Sequence, residues 1–138
     1  MNTQLIDDVI RVMPVLHKSF FHGIKKTDFR KYTGILMHIS DNDGYSMSYY
    51  CDKMYISKPN LTKAIDALAE DGFVERREDP DDRRKTNIYV TDKGKEEARS
   101  KWEGLRKHAL ERLSVLSEEE LEELHVHVLG MHRILEKV

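Results

Sequence analysis

Phe73-Val74-Glu75-Arg76-Arg77-Glu78, then Asp79-Pro80-Asp81-Asp82-Arg83-Arg84, then Asn87-Ile88-Tyr89-Val90-Thr91 is the stretch whose reading decides the fold. The first and third blocks carry apolar residues at alternate or near-alternate positions, as a half-buried strand does. Between them, Pro80 and the aspartates supply turn chemistry, so the unit reads as a β-hairpin with a charged tip. Working backwards, Ser57 to about Asp71 has an apolar stripe at Leu61, Ala64, Ile65 and Leu68. Ser57 is its N-cap, Pro59 sits in the first turn where the missing N–H costs nothing, and Gly72 closes it. Before that, Ser46 caps a short helix through about Met54 whose inward positions are Tyr50, Cys51 and Met54, and Tyr55-Ile56 joins the two helices. Two short helices on a tight connection make a helix-turn-helix. Followed by a hairpin with two arginines at its tip, they make a winged helix. The expected fold class is mainly α with a small antiparallel β-wing, and the expected ligand is duplex DNA.

The flanks read as helices. Leu5 to about Phe21 places Leu5, Val9, Val12/Met13, Leu16 and Phe20 on one face, and Pro14 is expected to kink or divide it. Gly23 to Thr27 is a basic break. A second helix is expected from about Asp28 to Ser40, with Phe29, Tyr32, Ile35, Leu36 and Ile39 on one side, ended by the turn Asp41-Asn42-Asp43-Gly44. Thr91 is the expected N-cap of a long helix from Asp92 through Trp102, Leu105 and Ala109 to about Leu116. Ser117-Glu118-Glu119-Glu120 forms a capping box for the last helix. That helix sets Leu121, Leu124, Val128, Met131 and Leu135 at alternating steps of three and four, a seam expected to be buried against another helix.

At 138 residues the chain is read as one domain, 1–138. No run approaches ~18 apolar residues, and the start Met1-Asn2-Thr3-Gln4-Leu5-Ile6-Asp7-Asp8 lacks the features of a signal peptide. The lone cysteine, Cys51, fits a reducing cytosol, and the expected location is cytoplasmic. The formal net charge is −2, and acids and bases balance even between Asp52 and Lys95. A protein that coats DNA indiscriminately is usually strongly basic. Any DNA contact here must therefore come from bases gathered on one face, which points to a reader of particular sites. No nucleophile and base stand in a known motif and no glycine-rich phosphate loop is present, so neither an enzyme nor a cofactor is expected.

Taken in order and spacing, Ser57-Lys58-Pro59-Asn60-Leu61-Thr62-Lys63, Leu68, Gly72-Phe73-Val74-Glu75-Arg76, Asp79-Pro80-Asp81-Asp82-Arg83-Arg84 and Val90-Thr91-Asp92-Lys93-Gly94 resemble the MarR family of bacterial transcription regulators. The agreement runs over about Ser46 to Gly94. Ala69 stands where the family often has Glu, and Pro14 is unusual in a first helix. The resemblance implies an obligate homodimer with interlaced first and last helices (about 4–22 and 95–138), a winged-helix core (about 28–94), and a region that responds to a small molecule or to redox state.

The first turns of a recognition helix meet base edges in the major groove. Here they carry Ser57, Lys58, Pro59, Asn60, Thr62 and Lys63, left outward once Leu61, Ala64 and Ile65 point inward. Asn can pair in two places with adenine, Lys can donate to guanine, and Ser or Thr can bond base or phosphate. At the wing, Arg84 is assigned to insertion into a narrow minor groove, Arg83 to a phosphate, and Asp82 to holding the arginine fork. A plain surface ion-pair cluster is the alternative for these three. Of Arg76 and Arg77, on opposite faces of their strand, one is expected to brace the wing or touch a phosphate.

Cys51 falls where a helix crossing needs a small side chain and is read as packing. Of the seven histidines, His17 and His22 are five apart and His125 and His127 point to different sides, so no metal site is expected. Leu16, Phe20, Phe21, Tyr32, Leu36 and Trp102 are candidates to line an effector pocket, each equally able to be plain core. The reading is a sequence-specific, dimeric regulator on a pseudo-palindromic operator, with repression the favoured direction. The alternative is a helical protein-interaction module that offers the winged helix to a protein partner or, within the family that the chain resembles, a metal- or redox-responsive sensor.

Overall fold

The computed structural model describes residues 3–24 and 31–138. In chain order these form α1 (Thr3–Phe21), α2 (Thr33–Asp41), α3 (Met47–Met54), α4 (Lys58–Glu70), β1 (Val74–Glu78), β2 (Thr86–Val90), α5 (Asp92–Leu113) and α6 (Glu118–Leu135). They divide into two compact units, Ile24–Leu105 and Met1–Gly23 with Arg106–Val138.

The first unit is a winged helix. Leu36 and Ile39 of α2, Tyr50 of α3, Leu61 and Ile65 of α4 and Ile88 of β2 are its largest fully buried side chains. All four residues of the expected α4 stripe, Leu61, Ala64, Ile65 and Leu68, are buried. Losing one large member of such a stripe to alanine typically costs about 2–5 kcal/mol. Ser46 caps α3 by accepting from Tyr49 N, and Ser57 caps α4 by accepting from Asn60 N. Tyr50 joins the first of these helices to the turn before it: its hydroxyl donates to Asn42 O and accepts from Tyr45 N. Burial pushes the Tyr50 phenol up to about 12, so it stays a neutral donor.

β1 and β2 pair antiparallel, Val74 with Val90 through Glu78 with Thr86. The two strands differ sharply in burial: β2 is mostly buried, whereas only Val74 of β1 is. The cause is a third segment along the far edge of β2. Tyr45 O accepts from Ile88 N (2.9 Å) and Ile88 O accepts from Gly44 N (3.0 Å). Asp43 Oδ1 accepts from Val90 N (2.8 Å), and Ser46 bridges Asn87. β2 is thus a central strand of a small three-segment ladder, and β1 is its exposed edge.

Thr91 welds the hairpin to α5. Its N–H donates to Phe73 O (2.9 Å) and its hydroxyl donates to Gly72 O (2.6 Å) while accepting from Gly94 N (3.0 Å). Gly94 is required by this weld, because a Cβ there would stand 2.0 Å from Phe73 O.

Several boundaries differ from the sequence expectation. α2 begins at Thr33, not near Asp28: Lys31 and Tyr32 form a turn, and Asp28 and Phe29 lie outside the described residues. Tyr32 has φ −118 and ψ 14, and its side chain makes no cap hydrogen bond, so the apolar pattern continues where the helix does not. α5 stops at Leu113 rather than Leu116; there Ser114 Oγ donates to Glu111 O (2.8 Å) and Leu116 N to Leu113 O.

In the second unit α1 is one helix through Pro14, not two. Proline there removes the bond to the Ile10 carbonyl, and both residues are exposed, so water can satisfy that oxygen. Arg112 Nε donates to Ser19 O (3.0 Å) and His108 Nε2 donates to His22 O (3.1 Å), joining the end of α1 to α5. The capping box at Ser117 and Glu120 is formed. The α6 seam, expected to be buried, is largely exposed in the single chain: Leu121 37%, Val128 42%, Met131 41% and Leu135 53%. Neither α1 nor α6 has a buried residue.

Two glycines of α5 make opposite predictions. Gly94→Ala should cost roughly 1–3 kcal/mol through overpacking. Gly104→Ala, where a Cβ meets nothing within 4 Å, should gain up to about 1 kcal/mol from helix propensity. Urea midpoints of the two variants check this; equal midpoints would remove the Thr91–Gly94 weld from the account.

Candidate nucleic-acid interface

Burial of the α4 stripe leaves the opposite face of that helix outward. Ser57, Lys58, Pro59, Asn60 and Lys63 are exposed and Thr62 is half-buried. Ser57 Oγ accepts the cap bond from Asn60 N (3.4 Å) and keeps its O–H free to donate, whereas Thr62 Oγ1 donates to Lys58 O (2.8 Å) and keeps only accepting capacity. The Asn60 amide and the Lys58 and Lys63 ammonium groups have no hydrogen-bond or ion-pair partner among the described residues.

The wing tip is organised by a residue that sequence reasoning passed over. Asp79 Oδ1 accepts from Asp81 N (2.9 Å) and Asp82 N (3.0 Å), and Asp79 Oδ2 accepts from the Asn87 amide (2.9 Å). Those three donors hold the Asp79 carboxyl below the ordinary aspartate value, the Asn87 amide contributing most. Asp79 N donates to Lys85 O (3.0 Å) and Lys85 N to Asp82 O (2.9 Å), closing the loop. The signal was present: an aspartate whose side chain takes the amide two residues on is an Asx turn, and Asp79-Pro80-Asp81 has its composition.

On this frame Asp82 carries Arg84. Arg84 Nε donates to Asp82 Oδ1 (3.1 Å), Nη2 to Oδ2 (3.3 Å), and the Arg84 backbone N to Oδ1 (3.0 Å). The Arg84 side chain is nonetheless 91% exposed, so one edge of its fork is held and the rest faces solvent. The Arg84 side chain, then its backbone N–H, keep the Asp82 carboxyl below its ordinary range. Arg83 is exposed and has no partner among the described residues.

Arg76 and Arg77 do diverge. Arg76 pairs with Asp66 on α4, bracing the hairpin against the helix. Arg77 lies with its guanidinium 4.2 Å from the Tyr89 ring centroid and pairs with Glu75. The Asp66 partner was not legible from the sequence, because it depends on how β1 crosses α4.

The candidate effector residues do not all meet. Tyr32 and Leu36 line a cavity of about 190 Å³ with Lys31, Thr33, Ala67, Leu68, Asp71, Phe73 and Glu97. Leu36 is also plain core, at 1% exposure. Trp102 is exposed and does not line that cavity. Leu16 and Phe20 are half-buried and Phe21 is exposed, all in the other unit. Cys51 is half-buried and packs against the winged-helix core.

Residues 33–86, from the start of α2 to the start of β2, match the MarR family model. Over that stretch the chain is similar to the MarR family. A structure of a MarR transcriptional regulator from Methanosarcina mazei Go1 superposes with a TM-score of 0.73 at 20% identity, covering 97% of this chain and 98% of that one. Streptococcus pneumoniae FabT, solved in complex with DNA, gives 0.64 at 19% identity over 98% and 92%. Both likenesses concern the fold. Among curated relatives, the HTH-type transcriptional repressor YetL of Bacillus subtilis is 30% identical over 92 residues, 64% of this chain and 53% of YetL. The matches span about half the length of the curated relatives.

The wing frame can be tested alone. With Asp79 depressed, the turn is fully formed above the ordinary aspartate pKa and is lost as pH falls through the lower folded value. The Asp81 and Asp82 amide resonances should therefore titrate together, below the ordinary aspartate range. In Asp79→Ala both should lose that titration. Independent midpoints would mean that Asp79 does not organise the tip.

Proposed function

We propose that this protein is a MarR-family regulator of transcription that binds DNA sequence-specifically. α4 enters the major groove and the wing reaches the adjacent minor groove. The observation that carries this reading is the unpaired Lys58, Asn60 and Lys63 set on one face of α4, beside a wing that presents Arg83 and Arg84. Support also comes from FabT, a structure of the same fold solved with DNA. Asn60 is assigned to an adenine edge, Lys58 and Lys63 to guanine or phosphate, and Ser57, Pro59 and Thr62 to the surface that meets the groove wall. Arg84 is assigned to the minor groove, Arg83 to phosphate, and Asp82, Arg76 and Arg77 to holding the wing in place.

The working form is a homodimer. The exposed apolar faces of α1 (Leu5, Val9, Val12, Met13) and α6 (Leu121, Val128, Met131, Leu135) are too extensive to leave in water. A second copy covers them in an isologous interface. Two recognition helices then meet successive major grooves about 34–36 Å apart, so the operator is pseudo-palindromic. Repression is the direction we assign, since a dimer on promoter DNA blocks polymerase without further machinery, and YetL bears the name of a repressor. A small-molecule effector has a place at the cavity beside Tyr32 and Leu36, which touches the end of α4 at Ala67 and Leu68.

Binding to the DNA upstream of the chain's own coding sequence, measured at two salt concentrations, tests the reading. Arg84→Ala should weaken binding on every operator variant, most with A·T-rich flanks, and reduce the salt slope by roughly one unit. Asn60→Ala should relax preference at one base per half-site by about 1–3 kcal/mol with the salt slope unchanged. If Arg84→Ala leaves affinity and slope intact, Asp82, Arg83 and Arg84 are only a surface ion-pair cluster.

Sedimentation tests the assembly separately. The chain should run as a dimer at micromolar concentration. Leu121→Glu with Val128→Glu, both on solvent in the single chain, should shift it to monomer. A stable wild-type monomer would remove the dimeric reader.

A further inference from the structure

Among the described residues one non-glycine residue has a positive φ: Tyr55, at φ 50 and ψ 43. The geometry is imposed by the helix-turn-helix. Tyr55 N and Ile56 N (3.2 Å) both turn back to Cys51 O, closing α3 with a left-handed residue so that the chain can reverse into Ser57 and α4. Glycine is the residue such a closure normally takes, because a side chain crowds the neighbouring carbonyl. A bulky side chain at a positive φ is a true outlier. Among the described residues nothing offsets the strain. Tyr55 is 95% exposed, and among the described residues its ring and hydroxyl meet no partner. An aromatic ring held in water on a strained backbone stabilises the fold in no way that the structure shows, and such outliers concentrate where a residue acts on a ligand.

Its position says which ligand. Tyr55 lies two residues before the N-cap of α4, in the turn between the two helices of the helix-turn-helix. In such motifs the first helix crosses the DNA backbone while the start of the second enters the major groove. A side chain on the turn between them stands at the edge of that groove, where the phosphates are. Tyrosine hydroxyls are among the neutral donors that bond phosphate oxygens and fix register without reading sequence. Resting on the DNA-binding reading above, we propose that Tyr55 is a phosphate-contacting residue of the DNA interface, its O–H donating to a phosphodiester oxygen at the edge of the major groove.

Three variants decide it, each measured for thermal stability and for affinity to the operator found upstream of the chain's own coding sequence. Tyr55→Gly relieves the backbone, so Tm should rise by roughly 2–4 °C, yet affinity should fall about tenfold, equivalent to about 1.4 kcal/mol. Tyr55→Phe keeps the backbone and the ring but lacks the hydroxyl; it should match the wild type in Tm and still lose several-fold in affinity. Both losses should be equal across single-base operator variants, with the salt slope unchanged, since no charge is removed. Lys63→Ala serves as the control, with a weaker complex and a smaller salt slope. If Lys63→Ala weakens binding while Tyr55→Gly and Tyr55→Phe bind like the wild type, Tyr55 is no contact and only this inference falls. If Tyr55→Phe binds fully and only Tyr55→Gly is impaired, the hydroxyl is not the donor and the proposal is overturned. If neither wild type nor any variant binds duplex DNA, the regulator reading fails and this one with it.

Discussion

The apolar stripe of α4 is the constraint on which the rest depends. Leu61, Ala64, Ile65 and Leu68 can leave water only by facing α2, α3 and the hairpin, and once they do, the rotation of the helix is set. Lys58, Asn60 and Lys63 are then outward without any interaction having to hold them there. The same packing seats β1 and β2 against α4, with Arg76 on Asp66 as a side brace and the Thr91–Gly94 weld carrying the hairpin into α5. The presentation of both α4 and the wing thus follows from one buried surface.

A chain of net charge −2 is an unexpected host for the DNA interface proposed above, and the placement of its charges bears on that proposal. Many acids of the winged helix are turned to internal use. Asp43 accepts from Val90 N, Asp66 from Arg76, Asp79 from its turn amides and Asn87, and Asp82 from Arg84. Lys58, Lys63 and Arg83 have no such partner among the described residues. The unpaired Lys58 and Lys63 on α4 and Arg83 on the wing are the charges left to meet an anionic partner, within a screening length of about 8–10 Å.

What was legible in the sequence was local. Ser46, Ser57 and Ser117 were readable as caps because a cap depends on the next three residues, and the α4 stripe because its period is short. The hairpin was readable from alternation flanking Asp79-Pro80-Asp81-Asp82. What escaped depends on partners far along the chain. The buried Asn87 is an acceptor's partner only once β2 is in register with β1, and Asp66 only once β1 crosses α4. The start of α2 escaped for a different reason: Tyr32 fits the apolar pattern, yet its backbone is not helical. Tyr55 looked like a connector, since nothing in its letter reveals a positive φ.

The central claim, that the face opposite the α4 stripe and the tip of the wing together form the DNA surface, is tested most directly by residue-resolved amide mapping. The uniformly labelled protein would be titrated with the duplex from upstream of its own coding sequence. The account predicts that the strongest changes cluster at the start of α4, from Ser57 to Lys63, and at the wing tip, from Asp79 to Lys85. Changes confined to α5 and α6, with α4 and the wing silent, would contradict it.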